Sequence, residues 1–250
     1  MIVIPMAGLS SRFKKAGYSL PKYMLEAHGN TLFHHSIKSF KNYFTSEKFL
    51  FIALDVFDTE AFIHDECQKM GIRHFEVVIL SKPTKGQAET VFLGLEKSSV
   101  PKDEHILIFN IDTFRPNFEW PSYLDIQKID GYLETFIGSG KNWSNIEPKN
   151  KNDYSVKRTA EKQEISEYCC TGLYYFRSFK EYKSLFSSYS KKDLGEVDAG
   201  EYYIAPMYNM MIEAGADIRF SVISKDKVIF CGIPEEYEEF KKPPTDENQV

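Results

Sequence analysis

Arg12, Lys22 and Asp112 are the residues of this chain whose types and surroundings suit charge chemistry. A short apolar run, Ile2 to Pro5, reads as a buried strand and leads at once into Ala7-Gly8 and Leu9-Ser10-Ser11-Arg12. Pro21-Lys22 closes the segment. A buried strand entering a Gly/Ser turn presents several unpaired backbone N–H groups in one concavity, which is a natural anion seat. Arg12 and Lys22 can close on that anion from two sides. The chemistry this suits is the holding of phosphates. Asp112 follows the apolar run Ile106 to Phe109, at the end of a second buried strand, where ligands of open α/β sheets bind. Taken singly, the turn also fits another Rossmann-like junction with both cations solvated, and Asp112 a capping aspartate.

The turn is not a Walker A loop, because no Gly-Lys-Ser/Thr follows it, and it is not G-x-G-x-x-G. It resembles the signature of the nucleotidyltransferase family that makes nucleotide sugars, the glucose-1-phosphate thymidylyltransferase group and its relatives. That signature reads Gly-x-Gly/Ser-Ser/Thr-Arg-Leu/Phe, a spacer, then Pro-Lys. Gly8, Ser10, Ser11, Arg12, Phe13, Pro21 and Lys22 fill those places. The family sets a Mg²⁺-binding aspartate in an Asn-x-Asp context, which Asn110-Ile111-Asp112 matches. The resemblance therefore implies Arg12, Lys22 and Asp112 as catalytic residues, with Mg²⁺ on Asp112. It implies nucleotide contacts from Ala7, Gly8, Ser10, Ser11, Arg12, Lys22 and Asn110. The run from Leu80 to Ala88 falls in the place of the base-recognition loop, which adds Ser81, Gly86 and Gln87. Ser81 stands where thymidylyltransferases carry glutamine, so the base is open, with the loop shape favouring a pyrimidine.

Further segments follow in the family's order. Glu161-Lys162 resembles a Val-x-Glu-Lys-Pro segment, and Gly172 to Phe176 a Gly-x-Tyr-x-Phe strand. The resemblance implies that Lys162 binds the acceptor phosphate, with Lys157 as its rival, and that Glu161 and Gly172 meet the acceptor. Glu201 and Tyr203 open a segment that meets the sugar in the wider family. The late Trp-Leu-Asp-x-Gly-Thr motif is altered here, and Phe230 stands where its aspartate would be. Glu201 and Asp198 are the candidate replacements as second metal ligand, the alternative being a metal held by water and substrate phosphates instead. Trp143, in a polar stretch, is a candidate lid or acceptor wall, and His34-His35 reads as surface plus core. The implied activity is transfer of a nucleotidyl group from a nucleoside triphosphate to a sugar 1-phosphate, releasing pyrophosphate. The product would be a nucleotide-activated sugar for surface polysaccharide synthesis. Two competing readings are a cytidylyltransferase acting on a small phosphorylated alcohol such as phosphocholine and a non-catalytic nucleotide-binding protein.

These residues need a scaffold. The 250 residues suffice for one domain, 1–242, with a nucleotide half (1–129), an acceptor half (130–242) and a tail (243–250). The expected fold is α/β, a Rossmann-like doubly wound, mixed, mostly parallel sheet with helices on both faces and an added antiparallel acceptor-side subregion. Strands are expected at 49–54, 75–80, 106–109 and 132–137, and helices at 32–44, 59–70 and 87–97. Residues 138–153 read as a loop. Strands at 154–158, 163–167, 170–176, 217–223 and 227–231 and helices at 178–189 and 204–214 complete the pattern. A net charge of −5 argues against a nucleic-acid partner, and no run is long enough to span a membrane. Four cysteines without a Cys-x-x-Cys fit a reduced cytoplasmic protein. A homo-oligomer is left open.

Overall fold

The computed structural model describes residues 1–150 and 154–243. The apolar runs form fully buried strands: β1 (Ile2–Pro5), β2 (Phe49–Leu54) and β4 (Ile106–Phe109), with the partly buried β3 (Phe75–Leu80) at one edge. Continuous Val/Ile/Leu/Phe sequence of this kind suits strands covered on both faces. β4, β1, β2 and β3 lie side by side and parallel. Between them run α1 (Ser11–Lys15), α2 (Leu32–Ile37), α3 (Thr59–Met70) and α4 (Gln87–Lys97). α3 stops at Gly71, whose φ of 73° supplies the left-handed end that a side chain would resist. α2 and α3 bury Phe33, Ile37, Ile63 and Cys67 in one core cluster, and α4 buries Ala88, Val91 and Leu95 in another. The sheet is therefore clothed on both faces.

The second half adds β5 (Gly131–Ile137), β6 (Ser144–Pro148), β7 (Val156–Glu161), β8 (Tyr168–Phe176) and β9 (Ile218–Ile223). β8 is the hinge of the whole sheet: it runs antiparallel to β4, β5 and β6. β6 and β7 pair antiparallel, whereas β9 joins β5 in parallel. α5 (Phe179–Tyr189), α6 (Met207–Glu213) and α7 (Pro234–Phe240) complete the chain.

Several expectations need correction. The helix expected over 32–44 is α2 followed by a 3-10 stretch, Lys38–Tyr43, bent at Phe40 (φ −103°). The loop expected over 138–153 contains β6, because its polar residues pair with β7 and its buried Ile146 reaches the core. The strand expected at 163–167 is a bend, and β7 and β8 take up the flanking residues instead. Of 227–231 only Ile229–Phe230 pairs, with Thr113–Phe114. α7 was not expected, although Pro234 at its start is a recognised opening. Of the proposed tail, Pro243 is exposed and 244–250 lie outside the described residues, as do 151–153 of the proposed loop.

Candidate active site

The turn after β1 is built around Ser10, which takes a left-handed backbone (φ 50°, ψ 35°) that L residues rarely adopt. Its hydroxyl oxygen accepts the Lys22 N–H at 3.2 Å, tying the two ends of the segment together. Phe13 is buried against Leu25, Leu32, Phe114, Cys231 and Tyr237, which leaves the neighbouring Arg12 exposed at the cleft. Lys22 is half-buried, and its ammonium donates to Asp112 Oδ2 at 2.6 Å. Two residues distant in sequence are thus joined beyond the carboxyl end of β4.

Asp112 follows β4, as its apolar lead-in predicts. Beside it, the Asn110 carboxamide oxygen accepts from Gln87 Nε2 at 2.5 Å. Gly172 makes room for Asn110: a Cβ there would stand 2.6 Å from Asn110 Nδ2, and the glycine's φ is +97°. The register of β8 against β5 shifts between Cys170 and Tyr174, around that glycine.

Across the cleft, Glu161 is buried at the end of β7 and its carboxyl accepts from the Ser144 hydroxyl. Burial pushes its pKa up to about 7 from the usual 4.5, outweighing that hydrogen bond and the nearby Lys162. Lys162 adopts φ 53°, its N–H donates to the Trp143 carbonyl at 3.0 Å, and its ammonium reaches the Tyr203 hydroxyl. Burial raises the Tyr203 phenol above its ordinary range, Lys162 working against it. Left-handed backbone at the non-glycine residues Ser10 and Lys162, both at the cleft, is the local strain that functional sites tend to hold.

Two adjoining recesses make up the cleft. One, about 390 Å³, is bordered by Arg12, Lys22, Asp112, Glu161, Lys162 and Gly172, together with Ser10 and Trp143. The other, about 430 Å³, is bordered by Ala7, Gly8, Gly86 and Glu201. Ser11, Lys22, Gln87, Asn110, Asp112 and Tyr203 border both. Nearly every residue expected at the site is therefore brought together. Ser81 is not: it is exposed and borders neither recess, and Thr84 and Pro83 take its place. Glu201 lies exposed and borders the recess that holds Ala7, Gly8 and Gly86, and its charge acts on Glu161. Gly86 faces protein, since a Cβ there would stand 2.6 Å from the Tyr202 backbone. Lys157 is exposed and paired with Glu147 at 2.6 Å, away from both recesses.

Sequence reasoning missed Glu236. It borders the cleft, accepts the Gly232 N–H at 2.8 Å, and shares with Asp112 the space beside Gly232. The start of a helix at Pro234-Glu235-Glu236 was the available signal. Asp198 instead accepts from the Glu161 N–H at 3.0 Å and borders neither recess. The His35 Nε2–H donates to the Ala27 carbonyl at 2.8 Å and His34 lies 3.8 Å from Glu66, as surface-plus-core histidines do. No group of three or more His, Cys, Asp or Glu at metal spacing occurs among the described residues.

A parallel sheet carrying a phosphate-type turn, an aspartate and a lysine-bearing antiparallel flank defines a nucleotidyltransferase-like architecture. A protein of Vibrio cholerae RC9 described as a nucleoside-diphosphate-sugar pyrophosphorylase is 50% identical, with 97% of this chain and 100% of that chain covered and a TM-score of 0.92. The chain belongs to the nucleoside-diphosphate-sugar pyrophosphorylase family. The fold alone is shared with an inositol-1-phosphate CTP transferase of Thermotoga maritima (14% identity, 96% and 93% covered, TM-score 0.74). It is shared likewise with a UDP-glucose pyrophosphorylase of Acinetobacter baumanii (13% identity, 96% and 91% covered, TM-score 0.67). No family model matches the chain. No curated protein matches it.

Proposed function

We propose that the protein transfers a nucleotidyl group from a nucleoside triphosphate to a sugar 1-phosphate, releasing pyrophosphate. The observation that carries this reading is one continuous cleft bordered by Arg12, Lys22 and Asp112 on one side and Glu161 and Lys162 on the other. Such a cleft suits two phosphorylated substrates meeting between the halves. An oxygen of the sugar phosphate attacks the α-phosphorus, a new P–O bond forms, and the bond to the bridging α–β oxygen breaks. The acceptor phosphate is already a nucleophile, so no covalent enzyme intermediate is required. Catalysis is then alignment plus charge stabilisation.

In this reading the Arg12 guanidinium and Lys22 ammonium hold the triphosphate. Lys162 orients the attacking phosphate, and Glu161 meets acceptor hydroxyls. Ala7, Gly8, Ser10, Ser11, Gln87 and Asn110 fix the nucleotide. The donor set fits Mg²⁺, which binds through one or two carboxylates plus substrate phosphates; Asp112 would hold it, with Glu236, which shares the space beside Gly232, as a second carboxylate. When bound, the cation would neutralise charge gathering on the phosphates. Lys22 partners Asp112 in the protein alone and is free to turn to phosphate once that carboxylate is otherwise engaged. The product, a nucleotide-activated sugar, suits surface polysaccharide synthesis. Four buried free thiols favour a reducing compartment such as the cytoplasm, and no helix among the described residues is long and apolar enough to cross a membrane. The test is pyrophosphate release from five nucleoside triphosphates against a panel of sugar 1-phosphates and phosphocholine. Turnover with a sugar 1-phosphate supports the reading, and turnover with phosphocholine alone overturns it.

A further inference from the structure

Phe230 occupies the position at which the resembled signature has a carboxylate, and its surroundings are aromatic. It pairs with Thr113, next to Asp112, so its backbone does stand at the reacting end of the cleft. Its ring faces Trp143, with centroids 4.3 Å apart and planes at 53°. Phe136, near the end of β5, meets Trp143 edge-on at 5.2 Å and Phe230 at 5.3 Å. The Lys225 ammonium lies over all three rings, 4.0 Å from Phe136, 5.0 Å from Phe230 and 5.2 Å from Trp143. Three rings thus converge on one cation, which their faces attract electrostatically.

Trp143 and Phe230 border the cleft, whereas Lys225 and Phe136 do not. Trp143 is also tied to the lysine and carboxyl expected to meet the acceptor. Its carbonyl accepts the Lys162 N–H, and the next residue, Ser144, donates to Glu161. Neither ring borders the recess that holds Gly8, Thr84 and Gly86. An angled pair of aromatic rings beside a buried carboxyl and an ammonium matches the three faces of a sugar phosphate. The C–H face of the ring lies on the aromatic surface, hydroxyls meet the carboxyl, and phosphate meets the ammonium.

We propose that Trp143 and Phe230 form a platform for the apolar face of the acceptor's sugar ring, and that Lys225 is a positioning residue holding the two rings in place. The proposal rests on the sugar 1-phosphate reading above and adds how this chain selects that substrate. It also accounts for the exchange of a carboxylate for phenylalanine: the position serves the acceptor rather than a metal.

The experiment uses the full chain and the sugar 1-phosphate turned over best in the panel. Tryptophan emission is compared between wild type and Trp143→Phe, Trp120 providing the common background. The sugar 1-phosphate should change the emission of wild type and not of Trp143→Phe, while inorganic phosphate and nucleoside triphosphate alone leave both unchanged. Phe230→Leu should raise the acceptor KM about tenfold and hold the triphosphate KM within about twofold. Lys225→Met should shift the acceptor KM in the same direction, and Lys225→Arg, which keeps the cation, should restore it. Emission that ignores a sugar 1-phosphate the enzyme turns over would overturn the platform and leave the proposed reaction standing. A response to nucleoside triphosphate alone would reassign the rings to the base and likewise overturn it. Turnover of phosphocholine but of no sugar 1-phosphate sinks the reaction first, and the platform with it.

Discussion

Charge on the phosphates grows as the α–β bond breaks, so Arg12 should contribute more to the transition state than to binding. Arg12→Ala is expected to lower kcat by roughly a hundredfold or more, read by pyrophosphate release. Asp112→Asn removes the charge and keeps the shape; it should be inactive but folded, with its circular dichroism unchanged. Lys162→Ala should weaken acceptor use while triphosphate affinity, measured by calorimetry, stays near wild type. Glu161 makes a pH prediction. Its folded pKa of about 7 lies above the ordinary 4.5, so between those values the native state holds a proton that the unfolded chain has released. Stability from this group is therefore full below pH 4.5 and is lost as pH rises through 7, by up to a few kcal/mol. Glu161→Gln should flatten that part of the Tm-against-pH curve.

At the scale of elements, Gly172 shows how much a strand can hinge on one residue. Gly172→Ala would force a left-handed alanine and push the Asn110 side chain from its place against Gln87. A loss above about 1 kcal/mol in urea unfolding, with lowered kcat, is expected. Elements of this fold divide sharply in how far their sequence betrays them. β1, β2 and β4 are continuous apolar runs, and α3 ends on a glycine, so the parallel half could be read directly. β6 could not: Ser144, Asn145 and Glu147 carry no apolar alternation, and the strand exists because β7 supplies its partners. Ser81 misled for a related reason, since loop length alone does not say which side chain turns inward. The site residues carried by the signature turn, β4, β7 and β8 were legible because strand ends fix their positions. Glu236 and the cage around Lys225 were not, because they arise from packing between segments far apart in the chain.

On the scale of the molecule, segments far apart in the chain are joined at Gly86. The Tyr202 N–H donates to the Lys85 carbonyl at 2.9 Å, and the Ala88 N–H donates to the Tyr202 carbonyl at 2.8 Å. A methyl at Gly86 would meet the Tyr202 backbone, which cannot yield as a flexible side chain would. Gly86→Ala is therefore expected to raise the KM of both substrates, in contrast to Lys162→Ala; an isolated rise in one would mean the seam is local.

The brace on the phosphate turn comes from α7: Tyr18 meets Glu238, and the Tyr237 hydroxyl donates to the Glu26 carbonyl at 2.7 Å, across separations of 220 and 211 residues. A ribosome adding about 5–20 residues per second makes the turn roughly ten to forty-five seconds before its brace. Through that interval Phe13 and Tyr18 lack the Tyr237 ring that later packs on both. A nucleotide seated at this turn, as proposed, would therefore stabilise the completed chain more than a nascent one, because α7 is made last. Chains arrested before residue 234 should be cut by protease within the turn, and full-length chains should resist.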